Sequence, residues 1–304
     1  MSAHVPGAGR PSPGIVTVAR LDAASAWRRY GATDGTRTPD PAAGWVVLSE
    51  RLTHADAVDR WVRTERETTA AGHADLAGAL IVYRLAGSLA ELVVGPLLDQ
   101  RRVVALAPDR FAVRFGDAAR VDGVAVLGPE IAVLPDDPDA GRPGTTVVPD
   151  EDALRSAAVD SLVAVYQPLS AAVRASAPFG LRGMWGTLAD HVAEGVLARA
   201  RDRGDDAGRA WAAADAVIDA LAARVPLLRV RPHPQRVVAG GRRGIYATKG
   251  TCCLIYKAEP LDPALPVRIA AARRLDAAAC TSCPLRSDED RRERYARHLA
   301  GAGG

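Results

Sequence analysis

The spacing of apolar residues divides the chain into helical and strand-like stretches. An amphipathic helical pattern follows Thr53, and an almost continuous apolar run extends from Leu76 to Leu98. The length of this run predicts a buried core helix. Arg84 and Glu91 interrupt the run, so it falls short of the uninterrupted apolar stretch that a membrane span needs. The sequence therefore predicts no transmembrane segment.

The apolar pattern then changes to short β-prone runs separated by Pro, Gly and Asp. The predicted strands are Val103 to Leu106, Phe111 to Phe115, Val121 to Leu127 and Ile131 to Leu134. Short runs with turn residues between them are typical of an antiparallel meander. We therefore expect one small antiparallel sheet after the core helix.

Apolar residues at helical spacing return in the second half of the chain. The predicted helices cover Glu151 to Val173, Trp185 to Ala200, Ala207 to Ala223 and Ser287 to Leu299. Pro168 is expected to kink or end the first of these helices, because proline lacks the backbone N–H that an inner turn donates. Three acidic residues fill the first turn of the last helix, where the helix dipole favours negative charge.

These elements predict an α+β protein that is mostly helical and has one small antiparallel sheet. We expect a loose N-terminal segment over residues 1–52, with a short ordered piece around Trp27, and helices plus the sheet over 53–149. A helical part of the same domain is expected over 150–239, and a cysteine-containing C-terminal segment over 240–304. The sequence shows no internal repeat and no separate linker.

Composition and charge exclude several classes of protein. The 304 residues are 48% hydrophobic and 25% charged, which excludes disordered, collagen-like and coiled-coil proteins. The net charge of +3 arises from 39 basic and 36 acidic residues, a balance too even for a generic nucleic-acid binder. Residues 1–14 lack the charged and apolar pattern of a secretory signal, so we expect a cytoplasmic protein.

The four cysteines of the chain all lie in the C-terminal segment, at Cys252, Cys253, Cys280 and Cys283. In a cytosolic protein such clustering indicates a metal site before a disulfide framework. A Cys-x-x-Cys turn brings two thiolates onto one metal, and its backbone N–H groups can donate to the sulfur atoms. Adjacent cysteines point to opposite faces of a regular strand, so the first pair converges only if the backbone turns there.

The residues alone leave several kinds of site open. A structural zinc site with four cysteines usually has two Cys-x-x-Cys turns, and this chain has one. Disulfides, including one between the adjacent cysteines, and four unrelated buried thiols are further alternatives. The number and arrangement of the thiols favour a 2Fe-2S cluster, whose two irons present a broader target than a single ion.

At these residues the chain resembles the FhuF family of ferric siderophore reductases, which hold a 2Fe-2S cluster through a C-terminal Cys-Cys pair and a Cys-x-x-Cys turn. The resemblance extends to Cys253-Leu254-Ile255-Tyr256 and to Cys283-Pro284-Leu285. Upstream, Met184-Trp185-Gly186 followed by Leu188-Ala189-Asp190 is similar to the family's Trp-Gly helix start. One departure is the segment from Leu254 to Ala279, which is longer than its counterpart in the family and which we expect to form a surface insertion with one helix.

The resemblance implies a function for the cysteine segment. All four cysteines would hold the cluster, which would pass one electron to a ferric siderophore, an anionic or neutral Fe(III) chelate. Hard oxygen chelators hold Fe(III) more tightly than Fe(II), so one electron is enough to release the metal. The chain has no dinucleotide fingerprint, so we expect an external donor such as a ferredoxin or a flavin or NAD(P)H reductase. The expected location is cytoplasmic, and a peripheral position at the inner face of the membrane is compatible with it.

Cationic residues near the cysteines are candidates for binding the substrate. Those near the first pair are Arg242, Arg243, Lys249 and Lys257, and those that flank the second pair are Arg273, Arg274 and Arg286. Such charges could raise the reduction potential of a cluster or attract an anionic ferric complex. The alternative is that each is merely solvated. Two other functions stay open: a 2Fe-2S electron carrier or redox sensor without a siderophore substrate, and a zinc-stabilised binding module.

Overall fold

The structure is a computed structural model that describes residues 44–68, 72–115, 121–127, 130–258, 263–264 and 266–301. The helices are α1 (Leu48–Thr53), α2 (Ala55–Thr68), α3 (Ala74–Gln100), α4 (Glu151–Ser176), α5 (Leu181–Arg203), α6 (Ala207–Arg224), α7 (Val267–Ala278) and α8 (Asp288–Gly301). The strands are β1 (Trp45–Val47), β2 (Arg102–Ala105), β3 (Phe111–Phe115), β4 (Val121–Val126), β5 (Glu130–Val133), β6 (Thr145–Val147), β7 (His233–Ala239) and β8 (Arg242–Thr248). The predicted ordered piece around Trp27 lies outside the described residues.

Helix α3 is the centre of the hydrophobic core, as the apolar run predicts. It packs against α2, α4 and α5, and Leu76, Leu85 and Leu89 are fully buried. By length and composition alone α3 could cross a membrane, but 72% of its most apolar stretch is buried inside the protein. The apolar side chains of α3 therefore pack against other helices of the protein.

The mostly helical α+β fold is confirmed, but the prediction of one antiparallel meander is wrong in its pairing. Strands β1, β3 and β4 form one antiparallel sheet, and β2 pairs with β5 in a second sheet, where β6 joins β5 in parallel. The β7–β8 hairpin is a third sheet. A short 3-10 turn, Pro108–Arg110, separates β2 from β3, so these two strands join different sheets. Pattern alone identifies strands but does not choose their partners.

The segment predicted as loose over residues 1–52 includes part of the fold. Trp45 and Val47 in β1 pair with Arg114 and Ala112 in β3, and α1 follows immediately. A strand of three residues is too short to produce an alternating pattern that sequence reading can detect. The ordered fold therefore begins before the predicted boundary.

The predicted helices of the second half are present, with altered ends. Helix α4 continues past Pro168 to Ser176, because Leu169 and Val173 beyond the proline are fully buried and their packing offsets the lost hydrogen bond. Helix α5 begins at Leu181, before the predicted Trp185. Helix α8 spans Asp288–Gly301 and starts with the predicted acidic turn.

Helix α5 joins the core to the C-terminal segment. One side of α5 packs on α3 and α6, and α5 also contacts β8. Helix α8 packs against the β7–β8 hairpin, where Tyr246, Tyr295 and Leu299 form a second, small apolar cluster with Val237. The end of β8 therefore emerges beside α5, and the cysteines follow directly after it.

The central position of α3 predicts a large stability cost for a cavity inside it. Leu89→Ala removes a fully buried side chain and should lower the free energy of unfolding by about 2–5 kcal/mol. Urea unfolding monitored by circular dichroism measures the change. Val238→Ala, at a side chain that is 69% exposed, is the matched control and should change stability by less than about 0.5 kcal/mol. Equal losses in the two variants would contradict the assignment of α3 to the core.

Candidate metal centre

The fold brings all four cysteines together. Cys252 and Cys253 follow β8, whereas Cys280 and Cys283 lie in the loop between α7 and α8. The Sγ atoms of Cys252 and Cys283 are 3.9 Å apart, and Cys280 shares hydrogen bonds with Cys253 and with Cys283. All four thiols are free. The chain therefore folds back so that both pairs meet, each cysteine contacting one from the other loop.

The backbone turns sharply after the adjacent pair, as convergence requires. Leu254 has a φ of 60°, in the left-handed region that residues other than glycine seldom adopt. Its N–H donates to the Sγ of Cys252 at 3.4 Å, and the N–H of Ile255 donates to the thiol of Cys253. The turn thus directs two successive backbone donors at the two sulfur atoms, an arrangement that favours thiolates.

A buried carboxylate on α5 fixes the loop before the first pair. Asp190 accepts hydrogen bonds from the backbone N–H of Gly250 at 2.7 Å, from that of Thr251 at 3.1 Å and from the Thr251 hydroxyl at 2.6 Å. Burial raises the pKa of Asp190 to about 7, although these three hydrogen bonds favour its ionised form. The carboxylate therefore replaces water as the partner of this buried loop.

The start of α5 is shaped for the same contact. The Trp185 ring packs edge-on against Tyr166 with 5.1 Å between the ring centroids, so Trp185 belongs to the core. Gly186 faces the loop, and a Cβ at this position would overlap the side-chain methyl of Thr251. The three residues of the Trp-Gly…Asp pattern therefore have different roles. Trp185 packs in the core, Gly186 allows the loop to approach the helix closely, and Asp190 accepts hydrogen bonds from the loop.

Two buried arginines hold the second cysteine loop. The Arg286 guanidinium donates to the carbonyl oxygens of Cys280 at 3.0 Å, Ala279 at 2.6 Å and Asp276 at 2.8 Å. Arg291 donates to the carbonyl oxygen of Cys283 at 2.9 Å. Arg286 is thus a structural cation whose donors face the backbone, rather than a charge that faces a substrate.

Lys249 connects the two loops and α5. Its backbone N–H donates to the carbonyl of Ser282 at 2.9 Å, and its buried Nζ lies 3.4 Å from Glu194 and 3.4 Å from the hydroxyl of Tyr83. Burial by itself would lower the pKa of Lys249, but the charges of Glu194, Tyr83 and Cys280 raise it above its ordinary value. Lys249 therefore stays charged beside the sulfur atoms.

The thiols differ in their readiness to ionise. A hydrogen bond from Cys283 lowers the pKa of Cys252 to about 7. Hydrogen bonding with Cys253 and with Cys283, whose one S–H is shared between Cys252 and Cys280, lowers the pKa of Cys280 well below its ordinary value, and the charge of Lys249 acts in the same direction. The donor partners Cys253 and Cys283 have raised pKa values for the same reason. Contacts among the four sulfur atoms thus favour ionisation within the group, and the thiolate is the form that binds metals.

The predicted substrate-binding cations are not all grouped at the cysteines, because Lys249 lies beside the sulfur atoms and Arg242 and Arg243 do not. Arg242 and Arg243 lie at the hairpin turn, at the far end of β8. A strand rises by about 3.3 Å per residue, so this end lies roughly 20 Å from the cysteine end. Lys257 pairs with Asp75 on α3, and Lys249 is buried. Arg242 and Arg243 are close to the cysteines in sequence but not in space, because the extended strand β8 separates these two residues from the site.

The long segment between the cysteine pairs forms an outer layer, as far as the structure describes it. A 3-10 turn, Ile255–Ala258, packs on α3, and α7 packs on that turn. Helix α7 buries only Ala270 and exposes Val267 and Ile269. The Arg274 guanidinium lies 5.5 Å from the ring centroid of Tyr256. The predicted helix is present, and it lies outside the layer that holds the cysteines.

Sequence reading missed several residues of this site. Glu194 and Tyr83 contact Lys249, and Arg291 holds the second loop. A signal for Glu194 was available, because it follows Asp190 by four positions and therefore shares its helix face. No local signal marks Tyr83 or Arg291, which meet the cysteines only through the tertiary fold.

Among the described residues, no three His, Cys, Asp or Glu side chains are arranged closely enough to hold a metal ion. No protein-family model, curated protein or solved structure matches the chain.

The contact between α5 and the first loop predicts a rescue experiment. Gly186→Ala should lower the free energy of unfolding by about 1–3 kcal/mol, because its methyl overlaps that of Thr251. Thr251→Ser in the same chain removes the overlapping methyl and keeps the hydroxyl, so stability should recover. Thermal and urea unfolding measure both effects.

Gly195→Ala is the matched control, since this glycine lies in the same helix and has open space around its Cβ position. It should be neutral or stabilising by up to about 1 kcal/mol. A loss at Gly186 that Thr251→Ser does not restore would contradict the close approach described above.

Proposed function

We propose that this protein is an iron-sulfur oxidoreductase that holds a 2Fe-2S cluster through Cys252, Cys253, Cys280 and Cys283 and reduces ferric siderophores by one electron. The observation that carries the proposal is the meeting of four free thiols from two separate loops. When bound, such a cluster accepts one electron from a donor and gives it to an acceptor.

The donor set and its surroundings fit this group. Four cysteine thiolates are the usual ligands of a 2Fe-2S cluster, and hydrogen bonds to the sulfur atoms help to set its potential. The N–H of Leu254 donates to Cys252, and the Ser282 hydroxyl lies 3.7 Å from the Sγ of Cys280. The buried ammonium group of Lys249 would offset part of the negative charge of thiolates and sulfides.

The substrate class follows from the resemblance to the FhuF family. The residues that carry this resemblance also position the cysteines, because Gly186 and Asp190 both contact Thr251, next to the first cysteine. A ferric siderophore would receive one electron and release the more weakly held Fe(II). We propose a cytoplasmic location, including a peripheral position at the inner face of the membrane, and a ferredoxin or a flavin or NAD(P)H reductase as the electron donor.

The chain's own residues would keep the site rigid during the change of charge. Asp190 holds the first loop, Arg286 and Arg291 hold the carbonyls of the second, and Lys249 joins the two. Preorganised donors of this kind need little rearrangement when a nearby group gains an electron.

Spectroscopy and metal analysis of anaerobically purified protein test the proposal. We expect iron and acid-labile sulfide in equal amounts, visible absorption that dithionite bleaches, and an EPR signal that appears on reduction. Reduced protein should then convert a ferric siderophore to its ferrous form. Zinc without sulfide would contradict the redox function and favour a zinc-stabilised module. A cluster that cycles normally but leaves siderophore iron ferric would favour an electron carrier or sensor.

Replacing single ligands tests the cysteine assignment. Cys280→Ser and Cys283→Ser should each lose most of the iron, the sulfide and the visible absorption, because serine is a poor ligand for these irons. Arg273→Ala, at an exposed position on α7, is the control and should keep the full absorption. Retained absorption in both cysteine variants would show that other residues hold the metal.

A further inference from the structure

A cavity opens on the side of the second cysteine loop that faces α5 and α8. Its volume is about 370 Å³, and its walls come from α5, β8, the Cys-x-x-Cys loop and α8. The lining residues used below are Glu194, Ala198, Arg201, Tyr246, Ser282 and His298. None of the substrate cations predicted from the sequence lines this cavity, so it is a separate candidate for the acceptor site.

The cavity shares one wall with the cysteine site. Ser282, which lines the cavity, has its hydroxyl 3.7 Å from the Sγ of Cys280 and 2.8 Å from Glu194. A molecule that touches Ser282 is therefore separated from a proposed cluster ligand by a single side chain.

Another part of the cavity wall is aromatic. Tyr246 and Tyr295 are stacked with their ring centroids 4.3 Å apart, and the Tyr295 hydroxyl donates to the carbonyl of Ala247 at 2.8 Å. Both rings are almost fully buried. Stacked and hydrogen-bonded side chains form a preformed surface, which lowers the entropy cost of binding a ligand.

The charge of the cavity favours an anion. The Arg201 guanidinium lies 5.1 Å from the ring centroid of Tyr246, and no carboxylate in the described part of the chain pairs with it. His298 packs edge-on against the same ring. The carboxylate of Glu194 is the acidic group in the lining, and its charge is offset by Lys249 at 3.4 Å. Arg201 is therefore the cation of the lining that is left to meet an anionic ligand.

We propose that this cavity binds the ferric chelate and that its ligand is a negatively charged Fe(III) complex, recognised through its anionic oxygens by Arg201. The proposal rests on the function proposed above, because it names the substrate class of that site. A neutral chelate of the same size would gain less from the charge of Arg201, so the cavity should prefer the anionic class.

Binding of a redox-inert substitute separates this proposal from electron transfer. Gallium(III) forms chelates of the same charge and shape as iron(III) but accepts no electron under these conditions. Isothermal titration calorimetry of the cluster-containing protein with an anionic gallium tris-catecholate and a neutral gallium trihydroxamate measures affinity alone. The wild-type protein should bind the anionic chelate more tightly.

Two pairs of variants locate the site. Ala198→Trp fills the cavity and should weaken binding of the anionic chelate by about tenfold or more. Its control, Ala213→Trp, fills a separate cavity between α3, α5 and α6 and should leave the affinity for this chelate unchanged. Arg201→Glu should weaken the anionic chelate by a similar factor and leave the neutral one unchanged. Arg209→Glu, an equal change of charge at that other cavity, should affect neither chelate.

The outcomes distinguish the two proposals. The assignment of the cavity would be overturned if the wild-type protein did not bind the anionic chelate, or if the test and control variants lost equal amounts of affinity. Neither result would contradict the proposed reductase activity, which is tested separately. Binding that Ala198→Trp and Arg201→Glu weaken, together with no reduction of the iron chelate, would support the cavity and overturn the proposed reaction. If Ala198→Trp fails to fold, the arginine pair decides the question.

Discussion

The arrangement of the cysteine site depends on one buried carboxylate. Asp190 receives two backbone N–H groups and one hydroxyl from Gly250 and Thr251, immediately before the first cysteine pair. An unpartnered buried N–H group is costly, so this contact makes the loop conformation next to α5 much more favourable than its alternatives. Because α5 is itself packed into the core, the position of the first two sulfur atoms is set by the main hydrophobic cluster of the protein.

The second loop is held by the opposite kind of group. Arg286 and Arg291 donate to backbone carbonyls around Cys280 and Cys283, so cations satisfy acceptors here just as an anion satisfies donors at the first loop. Buried charges are stable when they are paired and hydrogen-bonded, and Arg286 also contacts Asp276 and Asp290. The hydrogen bond from Lys249 to Ser282 then joins the two loops directly. The sulfur atoms are thus brought together by polar contacts of the loops that carry them.

Sequence reasoning predicted what depends on local pattern. Apolar spacing predicted the core helix α3, and helix-end chemistry predicted the acidic start of α8. The position of all four cysteines in one short segment predicted that they share a site. Strand partners did not follow, because β2 and β3 carry equivalent apolar patterns and only the intervening turn assigns them to different sheets. The role of Arg286 was also hidden, since a sequence records a charge but not whether that charge faces solvent or a backbone carbonyl. Glu194 is intermediate, because its helical spacing from Asp190 was visible but its contact with Lys249 was not.

The use of charge around the cysteines limits where the proposed substrate would be recognised. Lys249 and Arg286 are both buried, and their donors are directed at protein groups. The charge of Lys249 acts on the thiols, and burial keeps both side chains away from an incoming chelate. A cation that meets the substrate must therefore come from an element that reaches the surface beside the second loop. Arg201, near the end of α5, meets that condition, and the same helix carries Asp190 to the first loop. One rigid helix would then position both the cysteines and the residue that selects the substrate by charge.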